Sequence, residues 1–386
     1  MLAIINGKIY APDFTEGVVL VNGGKIEALG QVEIPEGAEI IDAGGGWVVP
    51  GFIDAHTHLG VCEETFRIEG DDTNEMTDPV TPHVRALDAV NPEDEGLRDA
   101  AAGGITAVFT APGSGNVIGG TGLVIKTTGK VVDKMVLRDP AGLKVAFGEN
   151  PKRVYGEEKK MPMTRMGTAA LMRESLVKAQ HYLECMNKGK EDPDEMPERD
   201  LKLEVLAQVL QKEIPLRAHA HRADDIMTAV RIAREFDVDL VIEHCTEGHK
   251  VAEELAEAGV PAVVGPSLSN RAKVELKDIS FKTPGVLAKA GVKVALMTDH
   301  PVTPIQYLPI CAGLAVREGM SMEDALKALS INAAEILGVD KRVGSLAPGK
   351  DADVVIWSGN PVEVMSRPLW VMIDGTMVFQ AEGFSI

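Results

Sequence analysis

Two histidines stand one residue apart in "GFIDAHTHLG" (51–60), directly after an apolar run. Four later apolar runs end in residues of the same chemical kind: "FGEN" brings Glu149, "AHAH" brings His219 and His221, "EHCT" brings His244, and "MTDH" brings Asp299 and His300. Imidazole nitrogen and carboxylate oxygen are the donors that Zn²⁺, Fe²⁺ and Mn²⁺ prefer. One HxH pair alone is more often accident than ligand set. The chain has nine histidines, however, and six of them close such runs, so a shared metal centre is the reading that accounts for the pattern. Side chains alternate along an extended segment, which puts His56 and His58 on one side, where both can reach one ion. The same holds for His219 and His221, with the second open to another role.

These residues need a scaffold that brings distant chain ends together. Between about 47 and 340, apolar strand-like runs alternate with helical patterns, the sign of βα units around a buried parallel sheet. Eight candidate strands can be counted: "WVVPGFIDAH", "GITAVFTAP", "GLVIKTTG", "LKVAFGEN", "IPLRAHAH", "DLVIEHCT", "PAVVGPS" and "KVALMTDH". Eight closes a (β/α)8 TIM barrel, whose active site forms at the C-terminal strand ends. Helices are expected over 92–103, 168–186, 223–236, 248–259 and 321–338, where apolar residues recur every three or four positions. The third strand is preceded by "GSGNVIGGTG", read as a flexible loop over the barrel mouth, and no clear helix separates that strand from the fourth. The charged segment 187–200 reads as a solvated connection between two helices. Short β-type runs with Asn-Gly, Gly-Gly and Asp-Gly turns fill both ends of the chain. They predict a small β-sandwich domain built from residues 1–50 and 341–386, flanking a barrel over 51–340.

Bulk properties narrow the partners. Thirty-nine Lys and Arg against 58 Asp and Glu leave a net charge of −19, which argues against nucleic acid or an anionic membrane and for a small-molecule substrate. Four dispersed cysteines, Cys62, Cys185, Cys245 and Cys311, form no CxxC pair, so neither a disulfide framework nor a structural zinc cluster is expected. No apolar run reaches the length of a bilayer span, and a reduced, cytoplasmic setting follows as the expectation.

The chain resembles the amidohydrolase superfamily, in the branch containing imidazolonepropionase and metal-dependent dipeptidases. "VVPGFIDAHTHLG" is similar to its first-strand signature, "EHCTEG" to its sixth-strand histidine and "LMTDHP" to its eighth-strand aspartate; "SINAAEILGVDKRVGSLAPGKDADVVIWSGNP" resembles the last barrel helix and the return into the small domain. The resemblance implies one or two divalent ions, zinc foremost, with iron or manganese as alternatives. His56, His58 and Asp299 would hold the more buried ion. His219 and His244 would hold a second one, or in single-metal members hold the substrate and its water. On the fourth strand some relatives use a carboxylated lysine and others a glutamate, so Glu149 is the expected bridging ligand, with Lys152 or Lys126 as lysine alternatives.

The implied reaction is hydrolysis of a C–N bond in an amide, cyclic amide or dipeptide-like substrate. Asp299 would orient and deprotonate the water, and His244 would aid the oxyanion. His221 and His300 are expected to contact substrate or support ligands. Lys152, Arg153 and Arg222 form a basic group that would attract an anionic substrate. Homo-oligomerisation is a family expectation. The rival readings are a deaminase of a heterocyclic amine at the same site and a catalytically silent barrel scaffold.

Overall fold

The computed structural model describes residues 1–11, 13–65 and 68–384; the last two residues of the expected C-terminal segment 341–386 lie outside this range. The N-terminal strands are β1 (Leu2–Ile5), β2 (Lys8–Tyr10), β3 (Phe14–Thr15), β4 (Val18–Asn22), β5 (Lys25–Gly30), β6 (Glu39–Asp42) and β7 (Trp47–Pro50). The barrel strands are β8 (Phe52–Thr57), β9 (Ile105–Thr110), β10 (Ile118–Lys126), β11 (Val136–Ala146), β12 (Leu216–Ala220), β13 (Leu240–His244), β14 (Ala262–Val264) and β15 (Val294–Leu296). The chain ends in β16 (Val354–Trp357), β17 (Pro368–Ile373) and β18 (Thr376–Gln380).

Strands β8 to β15 form one eight-stranded sheet in sequence order. Its ends come together beyond the ladder, where the Asp299 amide donates to His56 O at 3.2 Å and the His58 amide donates to His300 O at 2.9 Å. The first and eighth strand ends are thereby joined at the histidines themselves. Each of the eight apolar runs expected as a strand overlaps one of these strands, though β10 and β11 begin four and seven residues before their runs. The first run, however, breaks at Gly51: β7 pairs antiparallel with β16 in the small sheet, and β8 alone enters the barrel. A Cβ at Gly51 would lie 2.0 Å from Thr106 Oγ1, so only glycine lets the chain pass there.

The expected third strand, β10, runs antiparallel to both β9 and β11, unlike the parallel pairs from β11 to β15. That explains the missing helix after it, because an antiparallel neighbour needs no crossover; a single helical turn, Val132–Met135, suffices. The "GSGNVIGGTG" stretch departs from the flexible loop expected of it. Residues 118–122 belong to β10, and Asn116 is buried, its amide donating to Thr81 Oγ1 at 2.8 Å while its carbonyl accepts from Tyr155. Packing against neighbouring polar groups ties the segment down.

The expected helices appear as Glu95–Ala102, Arg165–Glu191, Ala223–Phe236, Ala252–Ala258, and Met322–Ala328 with Ile331–Leu337. The helix Arg165–Glu191 runs five residues into the segment expected as a connection, which then reaches the helix Leu201–Leu210. Among the described residues no helix is long and apolar enough to cross a membrane.

Two sheets flank the barrel: β5-β4-β1-β6, wholly N-terminal, and β18-β17-β16-β7-β2-β3, shared between the termini. Gly23-Gly24 joins β4 to β5 and Asp374-Gly375 joins β17 to β18, all four residues at positive φ, as a two-residue hairpin turn requires. Asn6-Gly7 makes no hairpin; it carries the chain from one sheet to the other. Ile4, Val21, Ile26, Val48, Ile356 and Trp370 from both sheets share one buried cluster. A separate cluster of Ile53, Ala107, Phe109, Val124, Val241, Val263 and Ala295 draws on six different barrel strands.

Candidate metal centre

At the C-terminal strand ends two groups of ligand-type side chains face one another. His56, His58 and Asp299 form the first, and His219, His221 and His244 the second; within each group one ligand atom per residue lies within 4.8 Å of the others. In the first, Asp299 Oδ1 is 3.2 Å from His56 Nε2 and 3.3 Å from His58 Nε2. Bonds of about 2.1 Å in a tetrahedral shell set ligand atoms roughly 3.4 Å apart, so these spacings suit one small ion. The rings of His56 and His244 are 5.4 Å apart between centroids, which places the groups side by side.

The local backbone aims these residues. His244 and Asp299, each at the end of a strand run, adopt left-handed φ values of 68° and 53°. Such conformations are rare outside glycine and cluster where a side chain must be presented to a site. His58 Nδ1 lies 2.8 Å from the Ala111 carbonyl and His244 Nδ1 3.1 Å from the Gly265 carbonyl. A carbonyl only accepts, so each ring carries its proton on Nδ1 and turns a bare Nε2 to the site. His221 Nδ1 is likewise held, by Thr246 Oγ1 at 2.8 Å.

Electrostatics agree with ligation. Burial, and then the neighbouring histidines, push the His219, His221 and His244 imidazoles well below their ordinary range, leaving neutral rings. Burial alone would raise the Asp299 carboxyl, but the close imidazoles of His56 and His58, and then that of His244, outweigh it and hold it well below its ordinary range. Both ring nitrogens of His219 and Nε2 of His221 are buried without a hydrogen-bonding partner. Buried polar atoms are rarely left so without a ligand to meet them.

The histidines and Asp299 line a cavity of about 500 Å³ whose wall also includes Lys144, Glu149, Asn150, Arg153, Asn270 and Lys273. That volume suits a small molecule. Glu149 stands in neither ligand group. It is the first residue of the helix Glu149–Glu157, and its backbone amide donates to Glu275 Oε2 at 3.1 Å. Of the expected basic group only Arg153 reaches the cavity. Arg222 caps the next helix and is tied to Asp224 by two bonds of 2.9 Å, and Lys152 is absent from the wall. His300 is fully buried, 3.5 Å from Glu64 Oε1, and it serves the centre through its carbonyl, which holds the His58 amide. Lys126 is excluded as a ligand by its ion pair with Asp353 at 2.7 Å, at the junction with the small domain.

Three charges lie inside apolar strand runs, away from the strand ends: Lys144 in "GLKVAF", Arg217 in "PLRAHA" and Glu243 in "LVIEHC". All are buried. Lys144 Nζ lies 3.4 Å from His56 Nε2 and pairs with Glu243, and Glu243 Oε1 accepts from Arg217 Nε at 2.8 Å. A lone charge in a buried strand demands a partner, and that demand was the available signal. Glu275 and Lys273, from the loop after β14, had no such mark.

Similarity to known proteins fits this geometry. Over 99% of its length the chain matches all of an amidohydrolase from Thermotoga maritima MSB8, whose crystal structure shares 48% identity with a TM-score of 0.96. The chain belongs to the amidohydrolase family. Residues 199–382 match the family's own description, "Amidohydrolase family", and family members hydrolyse C–N bonds. The amidohydrolase tasK of Hapsidospora irregularis is 30% identical over 94% of the chain, which spans only 40% of that larger protein. An imidazolonepropionase of Cupriavidus pinatubonensis is 27% identical over 89% of this amidohydrolase and 83% of its own length.

Proposed function

We propose that this amidohydrolase is a metal-dependent hydrolase of a cyclic amide, amide or dipeptide-like substrate bearing a negative group. The observation that carries the proposal is the pair of ligand groups, three donors each, on the floor of one cavity with Arg153 and Lys273 in its wall. The relatives named imidazolonepropionase favour a cyclic amide among these.

His56, His58 and Asp299 would hold one divalent ion and the three remaining histidines a second, zinc being the ion best suited to nitrogen-rich sets. A bound ion of this kind makes water a nucleophile near neutral pH and polarises the carbonyl under attack. Asp299, held ionised by its two histidines, takes the proton of the attacking water and returns it to the departing nitrogen. His244, its Nδ1 proton engaged by the Gly265 carbonyl, turns a bare Nε2 to the site, so it would serve as a donor to the second ion and not as the hydrogen-bond donor to the oxyanion that was expected of it. Arg153 draws the substrate's anionic group to the cavity wall, which orients the scissile bond over the histidines.

Lys144 is the fourth-strand lysine that meets the site. Burial pushes its ammonium below the ordinary range, against the pull of Glu243. Its amine is thereby suited to take up CO₂ and offer oxygen to both groups, the part expected of Glu149, Lys152 or Lys126. Mass spectrometry of the native protein under bicarbonate checks this by a gain of one carboxyl on Lys144.

The reaction itself is tested by offering cyclic amides, dipeptides and amino-heterocycles to the zinc-loaded protein. A new carboxylate without ammonia supports amide hydrolysis; ammonia release from a heterocycle would make it a deaminase. Turnover of none, with metal bound, would sink the enzyme reading.

A further inference from the structure

The three-histidine group has an oxygen donor beside it that no strand end supplies. Glu275 sits in the loop after β14, in the short turn Val274–Leu276, and is 1% exposed. Its Oε1 lies 3.5 Å from His219 Nε2 and 3.5 Å from His221 Nε2. These spacings repeat the edge of roughly 3.4 Å expected between ligands of one tetrahedral ion, and they match the 3.2 and 3.3 Å within the His56, His58 and Asp299 group. Neither Nε2 atom has a hydrogen-bonding partner, and Glu275 Oε1 has none either, although Lys273 Nζ stands 2.7 Å from it as a counter-charge. Three buried polar atoms converge here, and the two ring nitrogens are left without a partner while the Lys273 ammonium meets only the carboxylate. Unsatisfied nitrogens beside a carboxylate are the arrangement that a bound cation would complete.

The placement of Glu275 is built. Its second oxygen accepts from the Glu149 amide at 3.1 Å, at the start of a nine-residue helix whose terminus favours a carboxylate. Gly148 just before it has φ +89°, and a Cβ there would lie 2.6 Å from Glu275 Oε2, so glycine leaves room for the carboxylate. Glu149 thus meets Glu275 through its backbone amide.

The geometry points to Glu275 as a ligand of the ion held by His219 and His221, with Lys273 as the cation that balances the carboxylate until the ion arrives. This rests on the proposal that the histidine groups bind metal. The experiment measures zinc bound per chain by elemental analysis after dialysis, and zinc affinity by calorimetry on apo-protein, for wild type, Glu275→Gln, Lys273→Gln and His219→Ala. Glu275→Gln should lose one zinc per chain or bind it at least about tenfold more weakly, while Lys273→Gln, relieved of a competing ammonium, should bind that zinc as tightly as wild type or more so. If His219→Ala loses one zinc and Glu275→Gln keeps both at wild-type affinity, Glu275 is no ligand. Equal weakening in Glu275→Gln and Lys273→Gln would likewise overturn the proposal, reducing the pair to a structural salt bridge. If His219→Ala itself keeps two zincs, the fault lies in the metal reading of that group. Glu275→Gln retains size and shape, and a melt followed by circular dichroism verifies that it is folded.

Discussion

Glu243 Oε1 lies 3.1 Å from His56 Nδ1, inside the barrel and behind the first ligand group. The carboxylate stands against one ring nitrogen while the other, Nε2, lies 3.2 Å from Asp299 Oδ1. It also serves as the counter-charge for Arg217 and as the acceptor paired with Lys144, making it the hub of a fully buried network. Replacing Glu243 by Gln leaves the buried Arg217 guanidinium without its anion, an arrangement that costs about 3–5 kcal/mol when one partner of a buried pair is removed. Denaturant unfolding should show a loss of that size, and zinc titration should show weaker binding at the first group.

Asp299→Asn keeps the volume of the side chain but cannot accept a proton. Loss of a positioned proton acceptor lowers turnover by about 10²–10⁴-fold. Steady-state kinetics on the active substrate should give a fall in kcat of this order, with circular dichroism unchanged. A fall below tenfold would remove Asp299 from the proton-transfer role.

His56→Ala with His58→Ala removes two of three donors from the first group. Elemental analysis should find one metal fewer per chain and no measurable turnover. The wild type stripped by chelator should regain activity on adding Zn²⁺, and the double variant should not. Recovery of the double variant would show that the first group is dispensable.

Arg153 is the one member of the expected basic group that lines the cavity. A hydrogen bond to a charged group contributes about 1.5–3 kcal/mol, so Arg153→Ala should raise KM about tenfold or more for an anionic substrate. Its kcat should change little, and an uncharged analogue should show no such penalty. An equal effect on both substrates would argue that Arg153 shapes the wall without reading charge.

Lys126 joins barrel and small domain by pairing with Asp353 at 2.7 Å and Asp351 at 3.2 Å, all three side chains at most 4% exposed. Lys126→Met should destabilise the fold by about 3–5 kcal/mol while leaving metal content intact. Burial pushes the Asp351 carboxyl up, but the Lys25 hydrogen bond and the Lys126 and Arg342 charges hold it below its ordinary range. Such a group contributes stability above its unfolded value of about 3.9 and loses it as pH falls through the lower folded value. Wild-type stability should therefore drop more steeply below pH 4 than that of the Lys126→Met variant, as read by urea midpoints across pH.

The eight barrel strands were legible because each is an apolar run long enough to be buried on both faces, and the convergence of the histidines and Asp299 was legible because the C-terminal strand ends of a barrel meet on one face. His221 was placed beside the ligands by its alternation with His219 alone. The split at Gly51, the antiparallel β10 and the ordered 113–122 segment were hidden, since they depend on which neighbour each strand meets and on packing across the sheet.

Local sequence determined, for this amidohydrolase, which residues are metal-type donors and that β8, β12, β13 and β15 deliver them to one face, because strand periodicity and burial act over a few residues. Tertiary structure alone decided which oxygen and which lysine stand among them. Glu149 sits on the right strand's exit but begins a helix, and its amide holds Glu275. Lys144, five residues earlier and inside the strand, is the lysine that meets His56. Contacts between residues more than a hundred positions apart, such as Glu149 with Glu275, come from barrel closure, and no spacing along the chain encodes them.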